Sequence, residues 1–224
     1  MCNSYSYTHP GHIRMNNEDS YYSSDRSCLW IVCDGMGGHQ EGNFASHLVT
    51  DIFEQVHLTG TFDNKIDLIT SQFYNIQKIL EKKVHKLGNN AVIGTTFVLL
   101  LIENEKGVCI HSGDSRCYVY RDHILSLATK DHAKSVQGKD GERKALTKAL
   151  SAPGTLSLEI KKFHVKKKDV YLLCSDGFYD NLSSGAIKEG MKSESLEQGM
   201  KLMTDTVLSS KADDNLTATL IQVG

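Results

Sequence analysis

The stretch Leu29-Trp30-Ile31-Val32-Cys33-Asp34-Gly35 is an apolar run of strand length that ends in an aspartate and a glycine. A second apolar run, residues 170–175, ends in the same way, at Asp176 and a glycine. In the last apolar run, residues 216–221, the order is reversed: Asp214 stands before the run instead of after it. In an antiparallel sheet, the end of one strand lies beside the start of its neighbour. The pattern therefore predicts that these three aspartates converge at a single sheet edge.

Short runs of β-branched and apolar residues predict further strands, and the turn-length gaps between them favour antiparallel hairpins. The predicted strands cover residues 29–33, 95–102, 108–111, 116–120, 124–127, 160–165, 170–174 and 217–223. Apolar residues at helical spacing predict helices over residues 44–56, 66–87, 144–150 and 196–207. The chain is therefore expected to be an α+β protein whose antiparallel sheets carry helices on their outer faces.

The composition is that of an ordinary globular protein. The chain has 224 residues, of which 40% are hydrophobic and 23% charged, and only two are proline. Without a Ser/Gly/Pro-rich linker, we expect a single domain over residues 1–224. A net charge of −2 does not indicate nucleic acid or an anionic membrane as a partner. Because no long apolar run or signal sequence occurs, we expect a cytoplasmic protein whose six cysteines are free thiols.

Further acidic residues come from separate segments of the chain. Asp114 follows the predicted strand at residues 108–111, and Glu18 and Asp19 precede a pair of tyrosines. Carboxylates gathered at one site raise one another's pKa unless a cation neutralises them. An all-oxygen set of ligands suits Mg2+ or Mn2+ rather than zinc, which favours cysteine and histidine. The sequence therefore predicts a divalent-metal site.

Seven motifs, in order along nearly the whole chain, resemble those of the PPM metal-dependent protein phosphatases, also called type 2C phosphatases, in their bacterial form. The first two are Gly11-His12-Ile13-Arg14-Met15-Asn16-Asn17-Glu18-Asp19 and Val32-Cys33-Asp34-Gly35-Met36-Gly37-Gly38-His39. The others are Gly94-Thr95-Thr96, Ser112-Gly113-Asp114-Ser115-Arg116, Leu146-Thr147-Lys148-Ala149-Leu150, Ser175-Asp176-Gly177 and Asp214-Asn215-Leu216-Thr217. The resemblance implies a four-layer α-β-β-α sandwich of two antiparallel sheets flanked by helices.

The resemblance also implies two bound divalent cations, Mn2+ or Mg2+, and a third, weaker one. The residues that match the family's metal site are Asp34, Gly35, Asp176, Asp214, Asp114, Asp19 and Glu18. Asp34 would bridge the two ions, and Gly35 would bind one of them through its carbonyl. Glu18 and Asp19 resemble residues that hold metal-bound water, and Asp114 would contribute to the third site.

Arg14 and Asp34 are the implied catalytic residues. A planar guanidinium can grip two phosphate oxygens, which suits Arg14 as the phosphate-binding group. The implied reaction is direct attack on phosphorus by a water that bridges the two ions, without a covalent intermediate. The expected substrates are proteins with phosphoserine or phosphothreonine, in opposition to a Ser/Thr kinase, and the expected state is a monomer.

The chain departs from the family pattern at two places. Met36 stands where eukaryotic relatives carry a histidine proposed as general acid, so the proton for the leaving group would come from water or from His39. The segment 131–144 is shorter than the flap that bacterial members of the family usually have at this place.

Two other functions stay open: a catalytically silent module of the same fold that binds phosphoproteins, and a phosphatase of small phosphorylated molecules. A cysteine-dependent phosphatase is excluded, because it needs five residues between cysteine and arginine, and six separate Cys109 from Arg116.

Overall fold

The structure is a computed structural model that describes residues 2–37, 40–88, 91–138, 141–152 and 155–224. The strands are β1 (Cys2–His9), β2 (Asp19–Ser24), β3 (Leu29–Met36), β4 (Gly94–Glu103), β5 (Lys106–Ser112), β6 (Arg116–Arg121), β7 (Ile124–Leu127), β8 (Ala133–Gly138), β9 (Gly141–Leu146), β10 (Glu159–His164), β11 (Val170–Cys174) and β12 (Leu216–Val223). The helices are α1 (Gln40–Gln55), α2 (Phe62–Leu87), α3 (Asp176–Tyr179), α4 (Ser184–Met191) and α5 (Leu196–Leu208).

Ten of these strands form two five-stranded antiparallel sheets. The first sheet has the order β1-β12-β11-β6-β7, and the second has the order β10-β5-β4-β3-β2. Strands β8 and β9 form a separate hairpin. The antiparallel pairing of consecutive strands, as in β4–β5 and β6–β7, confirms the predicted hairpins.

Alternation of side chains along the strands produces the layers of the fold. In β3, Ile31 and Cys33 pack with α1 and α2, whereas Trp30 and Val32 face the first sheet. In β11 of the first sheet, Leu172 packs with α4 and α5, whereas Tyr171 and Leu173 face the second sheet. The order of layers is therefore helices, second sheet, first sheet, helices, which confirms the four-layer α-β-β-α sandwich.

The helix predicted over residues 144–150 is wrong. Strand β9 covers the start of this segment, where Ala145 pairs with Lys134 of β8. Further along, Leu150 is fully buried and exchanges backbone hydrogen bonds with Thr95 at the start of β4. The spacing of Leu146 and Leu150 resembles that of a helix, but the hairpin and this bridge use the backbone groups that a helix would need.

Four strands and two short helices were not predicted: β1, β2, β8, β9, α3 and α4. Strand β1 is rich in serine, tyrosine and threonine rather than aliphatic residues, and it lies at the edge of the first sheet beside β12. An edge strand buries fewer of its side chains than a central one, which explains the weak apolar signal. Among the described residues, the structure contains no helix long and apolar enough to span a membrane.

Phe73 of α2 lies in the layer between the helices and the second sheet. It is fully buried, stacks on Phe97 with ring centroids 3.8 Å apart, and lies 5.0 Å from the ring of Phe53. Phe73→Ala removes these contacts and should lower the free energy of unfolding by about 3–5 kcal/mol. The neighbouring Tyr74 is 43% exposed, so Tyr74→Ala should lower it by less than about 1 kcal/mol. Denaturant unfolding measures the free energy of unfolding of both variants. Equal decreases in the two would contradict the placement of Phe73 in the core.

Candidate metal centre and active site

A cleft of about 540 Å³ opens at the end of the sandwich where β3 and β11 finish and β12 begins. The residues that line it are Arg14, Glu18, Asp34, Gly35, Met36, Gly37, Asp114, Leu146, Asp176, Asp214 and Asn215. The structure thus brings together the residues expected at the site from the sequence. Asp19 lies beneath the cleft rather than in its lining, and only 4% of it is exposed.

The three aspartates of the strand ends come from two sheets. Asp34 lies on β3 of the second sheet, whereas Asp176 follows β11 and Asp214 precedes β12 of the first sheet. The prediction of a single sheet edge is therefore wrong. The carboxylates meet because the two sheets are stacked with these strand ends at the same end of the sandwich.

Asp19 links the two sheets below the cleft. The antiparallel register of β2 and β3 places Asp19 directly opposite Asp34 in the second sheet. From the first sheet, the Ser175 hydroxyl donates a hydrogen bond of 2.8 Å to Oδ2 of Asp19. The same hydroxyl oxygen accepts a hydrogen bond of 3.0 Å from the backbone N–H of Thr217. The acidic end of the second sheet is thereby fixed to the first.

Glycines allow the backbone to approach closely around Glu18. A Cβ atom on Gly35 would lie 2.3 Å from the carbonyl oxygen of Gly42 in α1, and one on Gly42 would lie 1.9 Å from Oε2 of Glu18. The backbone N–H of Gly35 also donates to the Glu18 carbonyl over 3.1 Å. The close packing of α1 on β3 therefore positions Glu18, and Gly42 is a contributor that the sequence analysis missed.

Asn215 is a second residue whose role the sequence analysis missed, although it belongs to one of the quoted motifs. It is buried, and its Oδ1 accepts a hydrogen bond of 2.8 Å from the Glu18 N–H. Its side-chain amide donates to the carbonyls of Pro10 and Asn16, each over 3.0 Å. Asn215 therefore ties the segment that carries Arg14 and Glu18 to the start of β12.

Arg14 reaches the cleft and forms a bidentate ion pair with Asp214. Its Nε and Nη2 atoms each lie 3.0 Å from a different carboxylate oxygen. Burial alone would lower the pKa of Arg14, but the attraction and hydrogen bonds of Asp214 raise it above its ordinary value. About half of each side chain is exposed, so the pair is open to solvent and to a ligand.

The electrostatics of the carboxylates indicate that they need a positive partner. Burial raises the pKa of Asp19 to about 7, although the hydrogen bond from Ser175 opposes the shift. Burial, together with repulsion from Asp19 and Asp176, raises the pKa of Asp34 well above its usual value. The pKa of Asp176 is raised by burial and by the nearby Asp214. Because the donors are oxygens from several segments, the set fits hard divalent cations such as Mg2+ or Mn2+.

Asp114 approaches the cleft from the turn between β5 and β6, and it is 5% exposed. One departure from the family pattern, Met36, lines the cleft. The described residues of the other, the segment 131–144, include β8 and the first part of β9, and Leu146 at the end of β9 also lines the cleft. His39, the alternative proton donor, lies outside the described residues.

Comparison with known proteins connects this geometry to a family. The family model described as protein phosphatase 2C matches residues 10–221. The serine/threonine phosphatase stp of Listeria monocytogenes is 26% identical, over 96% of this chain and 93% of its own length. The serine/threonine protein phosphatase PstP of Mycobacterium tuberculosis is 30% identical over 95% of this chain, which spans 43% of PstP.

Solved structures show the same architecture. PppA, described as a key regulatory component of T6SS in Pseudomonas aeruginosa, superposes with a TM-score of 0.91 at 26% identity, over 100% of this chain and 98% of that one. The catalytic domain of PstP, solved in complex with two manganese ions, has a TM-score of 0.81 at 25% identity, over 100% and 99%. By the family match over most of its length, supported by these relatives, the chain belongs to the protein phosphatase 2C family of serine/threonine phosphatases.

Proposed function

We propose that residues 1–224 form one catalytic domain that hydrolyses phosphoserine and phosphothreonine in proteins with the help of divalent cations. The observation that carries the proposal is the convergence of Asp34, Asp176 and Asp214 from two sheets, with the pKa of Asp34 and of Asp176 raised. Such a cluster is unfavourable without a cation and favourable with one. Membership of the family and the names of the relatives support the choice of reaction.

In this proposal, Asp34, Asp176, Asp214 and the Gly35 carbonyl hold two ions, either Mn2+ or Mg2+. The complex of the PstP catalytic domain with two manganese ions supports this assignment. When bound, the cations supply a water of lowered pKa as nucleophile and neutralise the charge that develops on the phosphoryl group. Glu18 and Asp19 orient water at the site. Asp114, with Asp176, holds a third, weaker ion.

The protein's own groups position the substrate. Arg14 leaves its exposed pair with Asp214 and holds two phosphate oxygens, where its charge stabilises the transition state. In this proposal, attack is direct, without a covalent intermediate. The thiol beside Asp34 is not an alternative nucleophile. Cys33 is fully buried next to Asp34, and burial raises the pKa of its thiol well above the ordinary value.

The half-exposed edge of the cleft suits a protein substrate. Arg14 and Asp214 lie at its rim with 54% and 43% of their side chains exposed, so a phosphorylated side chain can reach them from a folded or extended partner. We propose a monomer that opposes a Ser/Thr kinase. A small phosphorylated metabolite is the alternative substrate, and the ratio of phosphopeptide to metabolite turnover separates the two.

The activity test compares aspartates proposed as cation ligands with Asp213, an exposed aspartate next to one of them. Asp34→Ala and Asp214→Ala remove proposed cation ligands and should lower kcat for a phosphothreonine peptide with Mn2+ by at least about 100-fold. Asp213→Ala removes an exposed charge next to Asp214 and should leave kcat within about twofold. Thermal unfolding would establish that each variant is folded. Full activity of Asp34→Ala, or wild-type activity that persists in EDTA, would rule out the proposed metal site.

Stability should depend on metal and pH together. Asp19 has a folded-state pKa of about 7, above the value of about 3.9 expected when unfolded, so the metal-free protein loses stability as pH rises through this range. Cations bind the deprotonated carboxylates and offset that loss. The increase in melting temperature on adding Mn2+ should therefore be larger at about pH 8 than at about pH 5.

The matched control for this measurement is Asp34→Asn, which keeps the size of the side chain but removes a charge. In this variant the Mn2+-dependent increase should be small at both pH values. The account of the cluster would be contradicted by a wild-type increase of equal size at the two pH values.

A further inference from the structure

His132 connects the turn that carries Asp114 to the base of the β8–β9 hairpin. Its backbone N–H donates to the Gly113 carbonyl over 3.0 Å, and the Gly113 N–H donates to Nδ1 of the His132 ring over 3.2 Å. On the other side, the Thr147 N–H donates to the His132 carbonyl over 2.8 Å. One residue thus grips the backbone directly before Asp114 with two hydrogen bonds.

The ring of His132 is itself held in one orientation. Because Nδ1 accepts a hydrogen bond from Gly113, the proton of the neutral ring is on Nε2, which faces Oε2 of Glu159 at 3.2 Å. The ring is 7% exposed and stacks on His111, with centroids 4.7 Å apart and an angle of 9° between the planes. The stacking on His111 and the contact with Glu159 therefore hold Nδ1 of His132 in place as the acceptor for the Gly113 N–H.

The same three side chains also have the composition of a metal site, since ligand atoms of His111, His132 and Glu159 lie within 4.8 Å of one another. A metal ion lies in the plane of each imidazole that binds it, whereas these two rings are nearly parallel and stacked. Both nitrogens of His132 are also engaged, one by Gly113 and the other by its own proton facing Glu159. The contacts therefore favour a hydrogen-bonded chain over a metal site.

The turn that His132 grips has an unusual conformation. Gly113 has φ of +118°, and a Cβ atom there would lie 2.4 Å from Cβ of Thr96. The next residue has a separate contact, because the Tyr179 hydroxyl donates to the Asp114 carbonyl over 3.0 Å. Both contacts hold the backbone that carries Asp114, and the one from His132 joins that backbone to the hairpin.

We propose that His132 is a positioning residue that holds Asp114 toward the weakest of the cations by binding Gly113 through Nδ1, and that it links this ion to the β8–β9 hairpin. The inference rests on the proposed function, since it takes Asp114 as a ligand of the third cation. Leu146, at the end of this hairpin, lines the same cleft.

Three substitutions separate positioning from mere packing. In His132→Asn, the amide oxygen can occupy the place of Nδ1 and accept from Gly113, whereas in His132→Gln the longer side chain carries its oxygen past that place. His132→Ala removes the acceptor altogether. Calorimetric titration of the metal-free proteins with Mn2+ measures the ion affinities without reference to turnover. The Mn2+ dependence of phosphopeptide hydrolysis is measured in parallel, and thermal unfolding checks that each variant is folded.

The Ala and Gln variants should weaken binding of the weakest Mn2+ about tenfold, with the tighter ions unaffected, and Asn should stay within about threefold of wild type. The mid-point of Mn2+ activation should shift by the same factors. Equal losses in Asn and Gln, unchanged binding in all three variants, or a wild-type protein without a weaker third ion would each overturn the inference. Absence of wild-type turnover would instead refute the proposed function. The two failures can be distinguished, because calorimetry measures Mn2+ binding without turnover.

Discussion

The repulsion between carboxylates that two stacked sheets hold at one end of the sandwich is the constraint on which the rest of the structure depends. Asp34 from the second sheet meets Asp176 and Asp214 from the first, and burial raises the pKa of Asp34 well above its usual value. The apolar layer between the sheets opposes this repulsion. Trp30 and Tyr171 are buried there, and each large apolar side chain contributes about 1.5–3 kcal/mol when removed from water. The core therefore holds together an arrangement that is stable only with protons or cations.

Neutral hydrogen-bonding groups give the cluster its shape. Asn215 binds the segment before β2, Ser175 binds Asp19 across the two sheets, and the Thr95 hydroxyl donates to the Asp34 carbonyl over 2.9 Å. His132 and Tyr179 hold the backbone on either side of Asp114 in the same way. Such groups add no charge of their own, so they orient the carboxylates without cancelling the field that attracts a cation.

The sequence alone was sufficient for the α+β class and for Asp34, Asp176 and Asp214, because an aspartate beside a buried strand is visible as a local pattern. The role of Asn215 was missed, because its hydrogen bond to Glu18 joins distant segments. The sequence was not sufficient to assign Asp34 and Asp176 to different sheets. The pattern of apolar residues along a strand does not show which other strands pair with it. The false helix at residues 144–150 has a similar cause: the spacing of two leucines is local, whereas the bridge of Leu150 to Thr95 joins distant segments. The grip of His132 on Gly113 is likewise a tertiary contact.

The central claim is that the aspartates at this end of the sandwich hold two divalent cations. Crystals grown with Mn2+ and measured near the manganese absorption edge test it directly, because anomalous scattering locates each ion. The account predicts two strong peaks in the cleft, between Asp34 and the pair Asp176 and Asp214, with a weaker peak beside Asp114. Peaks only at His111, His132 and Glu159, or none in the cleft of a protein that hydrolyses phosphopeptides, would contradict it.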